Sequence, residues 1–395
     1  MNSEETFLNK LAQTSPYPLK IEVSHAEGSL IHDTNGKQYF DLISGIAVTN
    51  IGHRHPKVVE AIKSQLDKYM HVMAYGEFIQ APQNELADKL TNLLPPALNC
   101  CYFVNSGTEA NEGALKLAKR ITGRSQIISC NNSYHGSTHG SLSVTGNEVK
   151  KNAYRPLLPD VHFIDFNSEK DLKKITKKTA CVIIEPIQGD AGVRIPDQGY
   201  LQALRARCNE TGSVLIFDEV QTGFGRTGSL FAFQQYNVVP DIITLAKGMG
   251  GGMPIGAFIS SKASMKLLTH DPMLGHITTF GGHPVNCAAA SANLDVLTED
   301  GLLESVESKG QQIEDLLQHS AIKEVRRKGL MLAIEFGDAE LVQRIVDECL
   351  KNGVITFYFL SCPTSFRLAP PLTITEEEIK TSCRQVLKSI KNITQ

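Results

Sequence analysis

Lys247 ends the apolar run Ile242-Ile243-Thr244-Leu245-Ala246 and opens the glycine cluster Gly248-Met249-Gly250-Gly251-Gly252. An ammonium at the end of a buried strand loses its water, which favours the neutral amine, the form that attacks carbonyls to make Schiff bases. Taken alone, a lysine after a strand is more often a solvated loop residue, because lysine is almost never fully buried. Three neighbouring constellations shift that balance. Asn105-Ser106-Gly107-Thr108-Glu109-Ala110-Asn111 joins a strand to a helix start, and free N–H groups, a glycine and two hydroxyls there suit a phosphate as well as an ordinary N-cap. Val214-Leu215-Ile216-Phe217-Asp218 is a buried-strand pattern ending in an acid, placed where open α/β sheets bind ligands. Ser133-Tyr134-His135-Gly136-Ser137 sets an aromatic ring at the same sheet edge, able to cover a flat cofactor.

A phosphate cradle, a stacking ring, a carboxylate for a protonated ring nitrogen and a desolvated lysine describe a pyridoxal phosphate site. Two other motifs mislead. Gly223-Phe224-Gly225-Arg226-Thr227-Gly228 spells GxGxxG, but it stands five residues beyond its strand and opens no helix of the required kind, so it does not read as a dinucleotide fingerprint. His53, His55 and His135 lack metal-ligand spacing and read as structural or hydrogen-bonding residues, and no metal is expected.

These residues need a scaffold, and the chain supplies one. Short β-branched runs at Cys101–Val104, Gln126–Ser129, Val161–Ile164, Ala180–Ile184, Val214–Phe217, Asp241–Leu245 and Ile255–Ile259 alternate with helical patterns such as Lys57–Met70, Glu109–Ile121 and Tyr200–Glu210. That order predicts an α/β fold with a mostly parallel sheet flanked by helices. Gly28–Phe40 reads as a hairpin turning at Asn35-Gly36. From Leu297 onward come a charged helix, a strand at Leu330–Phe336, a helix at Ala339–Lys351 and a last helix from Glu376. The expected division is 1–50 as a segment joining the small domain, 51–290 as the large cofactor domain and 291–395 as the small α/β domain.

Composition narrows the partners. With 395 residues and 42% hydrophobic content the chain is long enough for two domains. A net charge of -3 with scattered Lys and Arg argues against nucleic acid and membrane surfaces. Nine cysteines without a CxxC pair, and a start lacking signal-peptide character, fit a reducing cytoplasm. No apolar run nears the about 20 residues that span a bilayer.

Nearly the whole chain resembles class III aminotransferases of fold type I, and most the acetylornithine/ornithine branch. The resemblance lies in Gly45–Pro56, Ser106–Asn111, Glu185–Gly189, Asp218–Gly223, Leu245–Gly248, Thr278–Gly282 and Arg367–Leu372. It implies a seven-stranded, mostly parallel sheet and a smaller α/β domain built from both termini. It also implies a homodimer whose active sites are shared across the interface, with an amino acid and a 2-oxo acid as substrates.

Residue by residue, the resemblance assigns Lys247 to the Schiff base and to proton transfer, and Asp218 to the pyridinium nitrogen. Ser106, Gly107 and Thr108 bind the phosphate, Tyr134 stacks on the ring with His135 beside it, and Val220 packs on the ring. Gln221 bonds the phenolic oxygen, while Thr278 and Thr279 lie at the phosphate of the neighbouring subunit's cofactor. Arg367 pairs with the α-carboxylate of glutamate or 2-oxoglutarate. Asp190, Glu185, Ser137, Ile46 and Tyr17 complete the substrate group.

Departures bear on the substrate. Ser137 stands where the family usually has a carboxylate-gripping arginine. Asp190 replaces a glutamate that pairs with the arginine when an ω-amino donor is bound; one methylene shorter, it is expected to pair more weakly or through water. Ile46 replaces the tyrosine of ornithine δ-aminotransferases and leans toward the acetylornithine type. Glu77, in Tyr75-Gly76-Glu77-Phe78, is a candidate partner for a cationic substrate. The expected reaction moves the terminal amino group of N-acetylornithine or ornithine to 2-oxoglutarate. The alternatives are another ω-amine donor (4-aminobutyrate, lysine or succinylornithine), pyruvate as acceptor, a cofactor-binding protein without turnover, and a nicotinamide-dependent oxidoreductase resting on Gly223–Gly228.

Overall fold

The computed structural model describes residues 3–74, 76–299 and 301–395. Its centre is a seven-stranded sheet in the order Cys100–Val104, Gly256–Ser260, Ile242–Leu245, Val214–Asp218, Thr179–Ile184, Gln126–Cys130, Val161–Ile164. The seven strands fall where the β-branched runs predict them, with ends shifted by a residue or so. Gly256–Ser260 alone runs antiparallel, against both of its neighbours. All six residues of Thr179–Ile184 and all five of Val214–Asp218 are buried, as expected for strands covered by helices on both faces.

Register matters here. Asp218 is paired with Thr244 on the adjacent parallel strand, so the carboxylate and the segment leading to Lys247 leave the sheet side by side at one edge. At the same edge the strand Cys100–Val104 turns into the helix Gly107–Thr122. Ser106 is extended and its hydroxyl accepts from the Glu109 N–H, and the helix closes on a left-handed Gly123. The helix lies close on the sheet at Gly113, where any side chain would collide with the Phe258 ring.

Two four-stranded sheets flank this core. In the first, the strands Leu30–Asp33 and Gln38–Asp41 form the predicted hairpin: Gly36 has φ +82°, and Asp33 Oδ1 accepts from the N–H groups of Asn35 and Lys37. Gln38–Asp41 then pairs in parallel with Val354–Ile355, from the other end of the chain. The second sheet runs Glu324–Lys328, Met331–Glu335, Ser365–Leu368, Phe357–Tyr358, all antiparallel.

After the hairpin comes a turn of opposite hand. Ser44, Gly45, Ile46 and Ala47 have φ of +48°, +58°, +69° and +58°. Left-handed turns cost L-residues roughly 1–2 kcal/mol each, so runs of them need outside support. Buried Asp41 supplies part of it, accepting from the N–H groups of Ile43 (3.1 Å) and Gly45 (3.0 Å). The Ser44 hydroxyl adds a bond to the Ala369 carbonyl at 2.7 Å. The turn is thereby fixed to the segment that follows Arg367.

Among the described residues no helix is long and apolar enough to cross a membrane.

Candidate active site

A cavity of about 480 Å³ opens at the carboxyl edge of the central sheet, with Lys247, Asp218, Tyr134 and Gly107 in its wall. Lys247 sits at φ +44°, a conformation that non-glycine residues adopt only when their surroundings impose it. Its side chain faces the cavity and is otherwise enclosed by protein. Burial pushes its ammonium below the ordinary value of about 10.4, and the charge of Asp218 only partly opposes that. A lowered pKa means that the free amine exists at lower pH than in water. The rate at which cofactor-free protein captures pyridoxal phosphate should therefore rise with pH and level off well below 10.4. A rate that climbs to 10.4 or beyond would contradict this environment.

Asp218 is held from three directions. Its Oδ2 accepts from Asn111 Nδ2 at 2.8 Å and from His135 Nδ1 at 2.7 Å, and Oδ1 accepts from the Val220 N–H at 3.0 Å. Asn111 is itself fixed: its Oδ1 accepts from the Thr244 hydroxyl at 2.7 Å, and its Nδ2 also donates to the His135 carbonyl at 2.7 Å. Sequence reasoning overlooked Asn111 and Thr244 as site residues. The signal was present, because Asn111 follows Ala110 and precedes Ala114 on the buried side of its helix, where an amide needs partners.

Glu185 is buried and accepts from the N–H groups of Tyr134 (3.0 Å) and Gly189 (2.9 Å). Burial pushes its carboxyl up to about 7, against the pull of His135. Tyr134 is 36% exposed over the cavity, and its hydroxyl lies 3.1 Å from Ser137 Oγ.

The walls of the cavity fit pyridoxal phosphate. Gly107 and Thr108 occupy the first turn of their helix, where N–H groups have no intrahelical acceptor and attract anions. A Cβ at Gly107 would stand 2.8 Å from Val220, and one at Gly136, at φ +132°, would collide with the Thr108 hydroxyl. The cradle is thus kept open by residues without side chains. The buried Nε2 of His135 has no partner among the described residues. Cavity size, anion-binding amides, a fixed carboxylate and an adjacent desolvated amine all suit the cofactor.

Of the residues singled out by sequence, Ser106, Gly107, Thr108, Tyr134, His135, Ser137, Glu185, Asp218, Val220, Gln221 and Lys247 all line this cavity. Thr278 is at its margin, where Asn105 Nδ2 donates to its hydroxyl at 3.0 Å; Thr279 is exposed and outside it. Arg367 and Asp190 lie behind the cavity, near enough for their charges to act on Lys247. The expectation of a weak or water-bridged Asp190 is corrected: Arg367 Nη2 donates directly to Asp190 Oδ1 at 2.9 Å. Asp190 reaches because it is drawn forward by the Leu360 N–H and the Ser361 hydroxyl, both at 3.1 Å.

Two assignments are not met within the chain. Ile46 packs instead against the small cluster of Tyr39, Ile43 and Ile355, because the left-handed turn directs it there. Tyr17 is 86% exposed on the N-terminal segment and does not line the cavity. Glu77 is exposed on its loop, and Tyr75 lies outside the described residues.

Comparison with known proteins agrees with this geometry. The profile of one protein family, aminotransferase class-III, matches residues 12–390. The acetylornithine aminotransferase of Methanocaldococcus jannaschii is 40% identical over 377 residues, covering 91% of each chain. That of Methanosarcina mazei is 42% identical over 371 residues, covering 91% of this chain and 89% of its own. Among solved structures, the ornithine aminotransferase of Toxoplasma gondii, with partial occupancy of PLP at its active site, superposes with a TM-score of 0.91 at 29% identity, covering 99% of this chain and 93% of its own. A transaminase from a marine Virgibacillus gives 0.92 at 27% identity, covering 99% of this chain and 98% of its own.

Proposed function

This chain belongs to the class-III aminotransferases, which use pyridoxal phosphate, and from that premise we propose that it moves the terminal amino group of N-acetylornithine or ornithine to 2-oxoglutarate, giving a semialdehyde and glutamate. The observation that carries the reading is Lys247 buried within reach of the charges of both Asp218 and the Arg367–Asp190 pair.

When bound, pyridoxal phosphate supplies a carbonyl that condenses with primary amines and a ring that takes up electrons from the substrate carbon. The remaining work belongs to the protein. Lys247 would hold the cofactor between turnovers and, as a free amine, would take up and return the proton of the amine-bearing carbon. Asp218 keeps the ring nitrogen protonated, and Asn111 and His135 keep Asp218 aimed. Gly107 and Thr108 would hold the phosphate, Tyr134 and Val220 would cover the ring and Gln221 would bond its oxygen.

Arg367 takes the α-carboxylate of the dicarboxylic acid. While an ω-amine occupies the site, Asp190 neutralises the guanidinium, so that the same pocket serves a donor without a carboxylate at that end. Arg367→Ala should raise KM for 2-oxoglutarate about 10- to 100-fold, the value of one or two charge-assisted hydrogen bonds, with a smaller effect on the amine half-reaction. An unchanged KM would remove Arg367 from acceptor binding.

Ser137 supports a second reading within the same class. Among the described residues lining the cavity Lys247 is the only Lys or Arg, which favours a different ω-amine or pyruvate over a second carboxylate held there. Spectroscopic half-reactions with acetylornithine, ornithine, 4-aminobutyrate and lysine, followed by 2-oxoglutarate or pyruvate, decide between them. If neither acetylornithine nor ornithine reacted faster than the other amines, the proposed donor would be wrong.

The working unit is proposed to be a homodimer, with Thr278 and Thr279 reaching the phosphate bound by the partner subunit. Support comes from the exposed apolar side chains of Phe78, Ile79, Met273 and Phe280, which are 54%, 93%, 79% and 55% accessible in the single chain. Light scattering should give twice the chain's 43.3 kDa; a monomeric mass with full activity would refute the shared site.

A further inference from the structure

The GxGxxG segment contains a side chain that the cavity chemistry does not use. Arg226 is completely buried, and its guanidinium is bonded to neutral oxygens: Nη1 donates to the carbonyls of Leu330 (3.0 Å) and Pro370 (2.5 Å), and Nη2 to Asn50 Oδ1 (2.7 Å). No carboxylate among the described residues forms an ion pair with it, and burial lowers its pKa to about 9. A guanidinium in such surroundings is unfavourable compared with an aliphatic side chain of similar size. Its planar fork, however, can hold several carbonyls in fixed relation.

All three acceptors belong to segments that end in the active site. Pro370 follows Arg367 by three residues in an otherwise buried stretch. Leu330 precedes Met331, whose methyl group would stand 2.9 Å from a Cβ at Gly189, the neighbour of Asp190. Asn50 Nδ2 donates to the Phe224 carbonyl at 2.7 Å and fills the space where a side chain at Gly248, next to Lys247, would be. The Asn50 carbonyl in turn accepts from the Leu372 N–H at 2.6 Å. One buried side chain thus joins the loop of the reactive amine to both members of the carboxylate-binding pair.

We infer that Arg226 is a positioning residue: through Asn50 and Pro370 it sets the separation between Lys247 and Arg367, and so how well a carboxylate held by Arg367 is placed against the reactive amine. The inference rests on the proposed role of Arg367 as the carboxylate anchor. A plain folding clamp would lower the melting temperature and leave ligand affinity alone, whereas a positioning residue changes affinity in protein that is folded and loaded with cofactor.

Glutarate, an unreactive five-carbon dicarboxylate, separates the two. It is titrated calorimetrically into cofactor-loaded wild type, Arg226→Lys and Asn50→Ala, with the visible absorbance of the cofactor and the melting temperature recorded for each. Arg226→Lys should weaken glutarate at least about tenfold and Asn50→Ala about three- to tenfold, with the cofactor band retained, since misplacements near 1 Å have effects of this order or greater. Unchanged glutarate affinity in a folded variant, whatever its melting temperature, overturns the inference. If Arg226→Lys does not accumulate folded, Asn50→Ala decides. Failure of the wild type itself to bind glutarate while Arg226 variants behave identically would refute the acceptor reading and leave Arg226 as a folding clamp.

Discussion

Lys247→Ala is expected to reduce turnover about 10³- to 10⁴-fold while the cavity still binds the cofactor, because the loss is that of a positioned base and nucleophile rather than of the phosphate cradle. Two features combine at this amine: burial lowers its pKa, and its backbone is held at φ +44° by the turn into the glycine cluster. Both direct a neutral amine at the space beside Asp218. Borohydride should fix the cofactor covalently to the wild type and leave the variant unmarked. Glutamate formation within tenfold of wild type by a correctly folded, cofactor-loaded variant would remove Lys247 from the mechanism.

The second large effect is expected at Asp218. Three donors converge on its carboxylate, and in Asp218→Asn one of the two oxygens becomes an NH₂ that cannot accept from them. The variant loses the charge that holds a proton on the ring nitrogen and also sets amide hydrogens against Asn111, His135 or the Val220 N–H. Removing one partner from a buried charge pair costs about 3–5 kcal/mol, which corresponds to about 10²- to 10⁴-fold in rate. Single-turnover rates with the amine donor, normalised to bound cofactor, measure it. A rate within tenfold of wild type would show that the ring nitrogen does not depend on this carboxylate. Because Asn111 and Thr244 act through Asp218, their alanine variants should shift the same rate in the same direction by a smaller factor.

The central sheet was legible because its strands are buried on both faces and their β-branched runs stand out from the amphipathic helices between them. Asp218, Lys247 and the Ser106–Asn111 cap were legible for a related reason, since each is a polar group set where an apolar element ends. Glu324–Lys328 was not read as a strand: Glu-Val-Arg-Arg-Lys is charged and lies at a sheet edge, where only one neighbour pairs with it. The left-handed turn at Ser44–Ala47 was also hidden, because a β-branched Ile46 at φ +69° opposes its local preference, and the turn is held by nearby Asp41 and by distant Ala369. That turn explains why Ile46 is not at the cavity. The direct Asp190–Arg367 contact depends on Leu360 and Ser361, far along the chain, so side-chain length alone misjudged its reach.

The parallel pairing of Gln38–Asp41 with Val354–Ile355 has a consequence for biosynthesis. Closing so long a loop is entropically unfavourable, and in a growing polypeptide it is impossible until Ile355 has left the ribosome. The hairpin, Asp41 and the turn at Ser44–Ala47 are made well before Val354–Ile355, the strand that completes their sheet. The sheet that carries Lys247 can collapse first, while the support that braces Arg367 waits for Val354–Ile355. A nascent chain arrested before Val354 should consequently present the reactive amine without the strand segment that anchors the substrate's carboxylate.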